Sequence, residues 1–379
     1  MFFGGVEGGA THSNLVICDE TGRVVGKAKG PGTNHWILGI DGCAERIISM
    51  LHEAKADACI PKDQPLDSLG LTLSGCEQES SNAELAARVR EIDAACAKAV
   101  YVASDTAGSL FTGAPNGGMV VIAGTGSNAL LRTPDGEQHG CGGWGFILGD
   151  EGGAYWIAHK AVKTVFDDVD GLTPSPYPTD RVWEVIREHF DADTRADLLP
   201  HTYKHFDKSM FAGVTSKIAD LAQKGDALSL HIFATAGATL GAHCAALASR
   251  TNAKQLRVVC VGSVWKSWDI LKPGMLSELA RRKVKTELEL VKLRVSSAMG
   301  AAWLAAKHVN YELPRDDSAF CTVFYTYRPE GAQNGNGVNG HGVPNGNGVN
   351  GNGVSNGKLN GKMNGNGITN GNSIHYDWS

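Results

Sequence analysis

The alternation of apolar and polar residues at the start of the chain predicts three antiparallel strands. A first apolar run at residues 2–6 leads into a glycine-rich turn at residues 8–11. Residues 13–18 and 24–29 then alternate on either side of a polar turn at 19–23, as the two strands of a hairpin do. We therefore expect a meander of three strands with a glycine turn between the first two.

The next segments alternate between helical and strand patterns. Apolar residues recur every three or four positions over residues 39–55, which predicts a helix, and residues 69–74 follow as a strand. A second helix is predicted over residues 82–99, followed by a strand at 101–105. The first part of the chain is therefore predicted to be an α/β domain, with bounds 1–116.

The same order recurs from Met119 onwards. A strand at 119–123, a glycine turn, a strand at 128–132 and a turn at 134–136 precede a region of helices. Late strands at 258–262 and 287–293 and an alanine-rich helix at 295–309 complete the pattern. Repetition of a topology predicts a duplicated fold, with a second α/β domain over residues 117–330.

After about Glu330 the sequence changes to repeated Asn-Gly-Asn-Gly-Val units. Such a segment has few apolar side chains to bury, and ordering its glycines is entropically costly. Asn-Gly also favours hairpin turns, but the alternating apolar flanks of a hairpin are missing. We expect residues 331–379 to form a disordered tail.

Composition narrows the classes of partner and compartment. The chain has 379 residues, 42% hydrophobic, with 35 Lys and Arg against 40 Asp and Glu and a net charge of -5. Without a basic run interleaved with aromatics, a nucleic-acid partner is not expected. We identify no run approaching the roughly 20 apolar residues that span a membrane, and the amino terminus lacks the basic and long apolar regions of a signal peptide. A cytoplasmic protein is therefore predicted. Nine cysteines without a CxxC pair are expected to be mostly small buried residues rather than disulfide or zinc ligands.

Two glycine-rich turns carry the first indication of chemistry. Each follows a buried strand, and each offers backbone amides together with a Thr or Ser hydroxyl to an anion. The turns contain Gly8, Gly9 and Thr11 in the first case and Gly124, Thr125 and Gly126 in the second. One such turn is typical of many hairpins, whereas two in similar halves indicate a nucleotide held between the halves.

Asp105 ends a predicted strand, at the position where ligands of α/β sheets gather. Its carboxylate can accept a hydroxyl proton during phosphoryl transfer, or it can simply cap the helix that follows. Asn34 likewise can bind a sugar hydroxyl or form a turn. Ser74 and Gly75 follow another strand between these positions.

The segment at residues 140–152 combines many glycines with one Trp and two acids. Such density of glycine is expected where backbone approaches a ligand closely. Trp144 is predicted either to belong to this site or to lie in the core. Asp150 and Glu151 are predicted either to contribute to it or to begin a helix that runs to Val165.

At the level of motifs, the chain resembles the N-acetylglucosamine kinases of the actin-like ATPase superfamily. The same group holds bacterial glucosamine kinases and the ATPase activators of acyl-CoA dehydratases and reductases. The resemblance is carried, in family order, by residues 5–9, 33–36, 73–75, 105–109, 124–128, 142–145, 148–152, 154–159 and 261–267.

The resemblance implies two ribonuclease-H-like domains around a cleft, in which MgATP phosphorylates the 6-hydroxyl of N-acetylglucosamine. Asp105 matches the catalytic base. Mg²⁺ is expected to enter with the ATP phosphates, and its protein ligands are left open, with Glu7 as a candidate contact through water. The implied sugar-binding positions are Asn34, Ser74, Gly75, Asp105, Ser127, Asn128, Gly143, Trp144, Gly145 and Asp150. The implied ATP-binding positions are Gly8, Gly9, Thr11, Gly124, Thr125, Gly126, Gly213, Gly262 and Ser263. A homodimer is also implied.

Three positions depart from the family pattern: Ala10, His12 and Cys76. The first two are expected to shift nucleotide affinity, and Cys76, which is expected to border the sugar site, to alter selectivity. The alternatives are a kinase for glucosamine, N-acetylmuramic acid or N-acetylmannosamine, an ATPase that activates a redox partner, or a non-catalytic sugar sensor or scaffold.

Overall fold

A computed structural model describes residues 1–315 and 320–329 of the chain. The first of its two sheets has the strand order β3-β2-β1-β4-β5. Its strands are β1 (Phe2–Gly8), β2 (His12–Asp19), β3 (Val24–Pro31), β4 (Ser68–Leu73) and β5 (Val100–Ser104). The helices between and after them are α1 (His35–Asp57), α2 (Glu79–Ile92) and α3 (Asp105–Gly113).

The second sheet has the order β11-β10-β9-β6-β7-β8. Its strands are β6 (Gly118–Ala123), β7 (Ser127–Arg132), β8 (Gln138–Gly142), β9 (Gln255–Val261), β10 (Glu287–Leu293) and β11 (Cys321–Tyr327). The helices are α4 (Gly145–Leu148), α5 (Ala154–Val169), α6 (Asp180–Phe190), α7 (Leu199–Thr202), α8 (Lys208–Gln223), α9 (Ala227–Ala248), α10 (Trp268–Arg281) and α11 (Ala298–His308). Short 3₁₀ turns lie at Arg195–Leu198 and Ser263–Ser267.

The two sheets repeat one topology, which confirms the predicted α/β duplication. In the first, β1, β2 and β3 form an antiparallel meander, and β4 and β5 join the other side of β1 in parallel. In the second, β6, β7 and β8 form the meander, and β9 and β10 add in parallel. Strand β11 is an additional antiparallel strand on β10.

Register places the candidate functional loops together at the carboxyl ends of the parallel strands of each sheet. Gly8 at the end of β1 pairs with Leu73 at the end of β4, and Leu73 pairs with Ser104 at the end of β5. The loops after these three strands therefore leave the first sheet at the same level. In the second sheet Ile122 pairs with Val261, so the loops after β6 and β9 also leave together.

Helix α11 comes late in the chain but packs on the first sheet, against β1 and β4. Two glycines allow its backbone to approach. A Cβ at Gly5 would lie 2.1 Å from the carbonyl oxygen of Ala298, and one at Gly70 would lie 2.2 Å from that of Ala301. The last described helix of the α/β pattern therefore packs on the sheet that the start of the chain forms.

Several element bounds differ from those predicted. Helix α2 ends at Ile92 rather than near residue 99, because Cys96 and Lys98 exchange backbone hydrogen bonds with Leu66 instead of continuing the helix. Helix α5 begins at Ala154, so Asp150 and Glu151 precede it. Strands β8 and β11 were not predicted. The predicted domain division after residue 116 stays a prediction, and the predicted disordered tail lies outside the described residues.

Helix α9 corrects one expectation about apolar segments. Its 22 residues are long and apolar enough, by length and composition, to cross a membrane, although the sequence reading expected no such stretch. More than half of its apolar window is buried. Phe233 and Leu240 lie in the core, and the helix packs along α10. The protein's own interior therefore covers much of this apolar surface.

Candidate active site

Asp105 begins α3 directly after β5, at the carboxyl ends of the parallel strands of the first sheet. Its Oδ1 is buried and has no hydrogen-bond partner among the described residues. The helix N-cap is Ser104, so the alternative that Asp105 serves as the N-cap is wrong. Burial, followed by the nearby carboxylates of Glu77 and Glu7, raises the pKa of Asp105 from 3.8 to about 7. A carboxylate with this pKa is suited to accept a proton near neutral pH.

Glu77 is a second acidic residue at these strand ends, and the sequence analysis did not identify it. It follows β4 in the loop that contains Ser74 and Gly75, and its side chain is accessible to solvent. Asn128 Nδ2 donates a hydrogen bond to Glu77 Oε1 at 3.4 Å, which joins the loop after β4 to β7. Although the residue is exposed overall, partial desolvation of its carboxylate raises the pKa of Glu77. Its position after a parallel strand next to β5 was the signal that could have found it.

The two glycine turns meet through their hydroxyls. Thr11 Oγ1 lies 3.0 Å from Thr125 Oγ1, so the predicted phosphate-loop residues of both halves are in contact. The amides of Gly9 and Gly124 donate to His12 O and Gly126 O within their own turns. These two amides are therefore already used within their own turns.

The remaining residues predicted to bind ATP lie near this point or along α8. A Cβ at Gly262, where φ is +107°, would lie 2.7 Å from the nitrogen of Gly124, so the loops after β6 and β9 touch. Ser263 next to it is exposed. Gly213 lies in α8, one helical turn after Ser209, whose Oγ is 3.1 Å from Thr11 Oγ1.

The predicted sugar residues of the first half form one cluster. Asn34 Nδ2 lies 3.4 Å from Ser74 Oγ, and Asn34 Oδ1 accepts from the amide of Trp36 as the N-cap of α1. Trp36 Nε1 donates to the carbonyl of Gly75 at 3.0 Å. Asn34 therefore does cap a helix, and its amide nitrogen still faces the loop after β4.

The predicted sugar residues of the second half gather around Asp150. Asp150 is buried, with φ at +62°, and its Oδ1 accepts from the amide of Ser127 at 3.0 Å. Its Oδ2 accepts from Lys208 Nζ at 2.6 Å. A Cβ at Gly126 would lie 2.4 Å from Asp150 Oδ1, and one at Gly143 would lie 2.7 Å from Asn128 Oδ1. Glycine is required at both positions because side chains of the site fill the space.

Trp144 lies at the surface, so the alternative that it belongs to the core is wrong. Its side chain is 74% exposed, and Ile147 and Leu148 on the following turn are 82% and 77% exposed. Gly145 begins this short helix with φ at +76° and open space where a Cβ would stand. The segment thus presents an apolar, uncovered turn next to Gly143.

The three departures from the family pattern have different environments. Ala10 backbone atoms pack against Gly32, and the side chain of His12 is exposed. Cys76 is buried, and its Sγ lies 3.8 Å from His35 Nδ1. Burial raises the pKa of the Cys76 thiol, which keeps it neutral. Six of the nine cysteines are buried and one, Cys59, is exposed, which confirms that most are buried small residues.

Comparison with known proteins agrees with the fold and the motifs. The chain is 26% identical, over 325 residues, to the N-acetyl-D-glucosamine kinase of Dictyostelium discoideum, covering 80% of this chain and 97% of the relative. It is 30% identical over 124 residues to an N-acetylmuramic acid/N-acetylglucosamine kinase of Clostridium acetobutylicum, covering 32% and 39% of the two chains. A crystal structure from Chromobacterium violaceum, assigned as an N-acetylglucosamine kinase, superposes with a TM-score of 0.65 at 23% identity, covering 80% and 98%.

A family model assigns most of the described chain. The model of the BadF/BadG/BcrA/BcrD ATPase family matches residues 5–305, which include both glycine turns, Asp105 and all the candidate positions above. This span covers both repeats of the duplicated topology. The chain belongs to the BadF/BadG/BcrA/BcrD ATPase family.

Proposed function

We propose that the protein transfers the γ-phosphoryl group of ATP to the 6-hydroxyl of N-acetyl-D-glucosamine. The observation that carries the proposal is the unpartnered, buried Oδ1 of Asp105, which follows β5 at the level where the loops after β1 and β4 leave the sheet. Membership of an ATPase family supports the use of ATP. The names of the relatives support an amino sugar as the acceptor.

Asp105 is the general base in this proposal. Its carboxylate takes the proton of the sugar hydroxyl as that oxygen attacks the γ-phosphorus. The partnerless oxygen, Oδ1, is the acceptor with a free position for such a proton. Asn34, Asn128 and Asp150 are proposed to hold the other sugar groups, because amide and carboxylate atoms suit hydroxyl partners.

The nucleotide is proposed to lie along α8, with its phosphates at Thr11 and Thr125. Support comes from the contact between these two hydroxyls and from Ser209 beside them. Gly213, one turn further along α8, is proposed to leave room for the adenosine, together with Gly262 and Ser263 from the loop after β9. Glycine at position 124 leaves open space that a phosphate can occupy.

Mg²⁺ is proposed to enter with ATP. Among the residues that the structure describes, no group of three or more His, Cys, Asp or Glu side chains is arranged for a metal ion. Mg²⁺ commonly binds through phosphate oxygens and water with one or two carboxylates. Glu7 fits this mode as an outer contact, because Ser296 Oγ donates to its Oε2 at 2.8 Å and holds the carboxylate in place.

ATP-dependent ADP release tests the proposal directly. The purified chain is assayed with N-acetylglucosamine, glucosamine, N-acetylmannosamine, N-acetylmuramic acid and glucose, with Asp105→Asn as the matched inactive control. We expect N-acetylglucosamine to lead and the 6-phosphate to be the product. Preference for another amino sugar would reassign the acceptor. ATP hydrolysis that is indifferent to every sugar would contradict the kinase proposal and favour an ATPase activator.

We propose that the enzyme acts in the cytoplasm as a homodimer. ATP is supplied in the cytoplasm, and the resemblance to the amino sugar kinases supports the dimer. Light scattering of the purified chain measures the mass per particle. A value equal to one chain at micromolar concentration would contradict the homodimer.

A further inference from the structure

The first turn of α8 links the two sides of the candidate site. Ser209 Oγ lies 3.1 Å from Thr11 Oγ1, which in turn contacts Thr125 Oγ1. Thr11 Oγ1 therefore contacts hydroxyls from two other elements of the fold. Adjacent to Ser209 in the chain, Lys208 Nζ donates to Asp150 Oδ2 at 2.6 Å. The same turn thus contacts the phosphate loops and the predicted sugar residues.

Two backbone amides of this turn, those of Ser209 and Met210, already have hydrogen-bond partners. The carboxylate of Asp207, the N-cap of α8, accepts from the amides of Ser209 and Met210 at 2.7 and 2.9 Å. A phosphate at this point would therefore be contacted by side chains of the turn rather than by these two amides. The Ser209 hydroxyl and the Lys208 ammonium each already have one partner, Thr11 and Asp150, but a hydroxyl can both donate and accept and an ammonium has three donors, so both can also contact a phosphate.

Lys208 is held in a defined position by Asp150 and Phe146. Its side chain is largely buried, forms the ion pair with Asp150 and lies over the ring of Phe146, with Nζ 5.4 Å from the ring centroid. Asp150 is itself fixed by the amide of Ser127. A cation that is fixed before the reaction stabilises developing charge without reorganisation.

We propose that Lys208, with Ser209, binds the phosphoryl group during its transfer. The inference rests on the proposed kinase function. The bond between the γ-phosphorus and the β–γ bridging oxygen breaks, the bond to the sugar 6-oxygen forms, and the hydroxyl proton passes to Asp105. Lys208 neutralises charge on the equatorial oxygens of the group in transit, and Asp150 positions Lys208. Neither residue of the turn was among the predicted site residues.

The contrast between two nucleotides tests this assignment. AMPPNP carries a γ-phosphoryl group and ADP does not, so we measure both dissociation constants with Mg²⁺ by titration calorimetry, without sugar. For Lys208→Met we expect about a tenfold or greater loss of AMPPNP affinity, with ADP affinity changed less than about threefold. Turnover should fall by about 100-fold. Equal losses for both nucleotides, or wild-type turnover, would overturn the proposal.

Two further variants separate positioning from folding. Lys208→Met leaves Asp150 without its cation and can destabilise the fold, whereas Ser209→Ala removes only a hydroxyl. Ser209→Ala should weaken the binding of AMPPNP severalfold more than that of ADP. An unchanged ratio of the two dissociation constants would count against the turn as a phosphate contact. Lys217→Met is the matched control, because Lys217 lies nine residues later, on the opposite side of α8. Since nucleotide binding is measured without sugar, failure of the sugar assay alone would refute the kinase proposal and not this contact.

Discussion

Replacing Glu77 by Gln should move the acid limb of the pH–rate profile to lower pH. Desolvation is the largest cause of the raised pKa of Asp105. Among charged neighbours, Glu77 raises this pKa most, and Glu7 raises it further. Cys76, the other titratable side chain of this loop, is held neutral. The Gln side chain keeps the size of Glu and can still accept from Asn128, but it removes the like charge. The perturbation is therefore electrostatic rather than structural.

The magnitude follows from the pKa of Asp105, about 7 against an ordinary value of 3.8. A base must be ionised to act, so kcat/KM should fall as the pH drops through 7, to roughly a tenth of its plateau at pH 6. Removing one neighbouring carboxylate should lower the pKa by about one pH unit, or about 1.4 kcal/mol. Burial remains and keeps the value well above 3.8. At pH 6 the variant should therefore retain roughly half of its own plateau.

The assay is kcat/KM for N-acetylglucosamine between pH 5 and 9, each profile normalised to its own plateau. Normalisation separates the pKa from any contact between Glu77 and the sugar, which changes KM at every pH. Glu79→Gln is the matched control, because Glu79 is an exposed carboxylate in the first turn of α2, two residues away. An acid limb that stays in place or moves to higher pH in Glu77→Gln would refute the reasoning. So would a wild-type limb centred near pH 4.

Three further substitutions probe the site. Asp105→Asn should lower turnover by about 10²–10⁴-fold while sugar binding measured by calorimetry largely survives, and near-normal turnover would remove Asp105 from the chemistry. Gly124→Ala adds a methyl group where the protein leaves open space, so the melting temperature should be unchanged while KM for ATP rises; an unchanged KM would place the phosphates elsewhere. Gly126→Ala instead drives a Cβ into the carboxylate of Asp150, so KM for the sugar should rise by about tenfold or more, and a wild-type KM would separate Asp150 from the sugar.

The sequence predicted those elements that are specified by residues within the element itself. The hairpin of β2 and β3 and the helix α1 follow from apolar periodicity and turn residues, which act over a few positions. Strand β8 was missed because its sequence, Gln-His-Gly-Cys-Gly, has no apolar alternation. It is a strand because its backbone pairs with β7. The predicted end of α2 was wrong because residues 96–98 pair with Leu66, which lies about 30 positions earlier.

The sequence by itself determined the α/β duplication, the two glycine turns and the carboxylate at the end of β5. Each is encoded in a short run of residues, where periodicity, glycine conformation and strand ends leave a local pattern. Only the tertiary structure decided that Glu77 lies beside Asp105 and Asn128, and that Lys208 pairs with Asp150. The members of these pairs are 28 to 58 positions apart in the chain. Sheet register and helix packing bring them together, and no local pattern records such contacts.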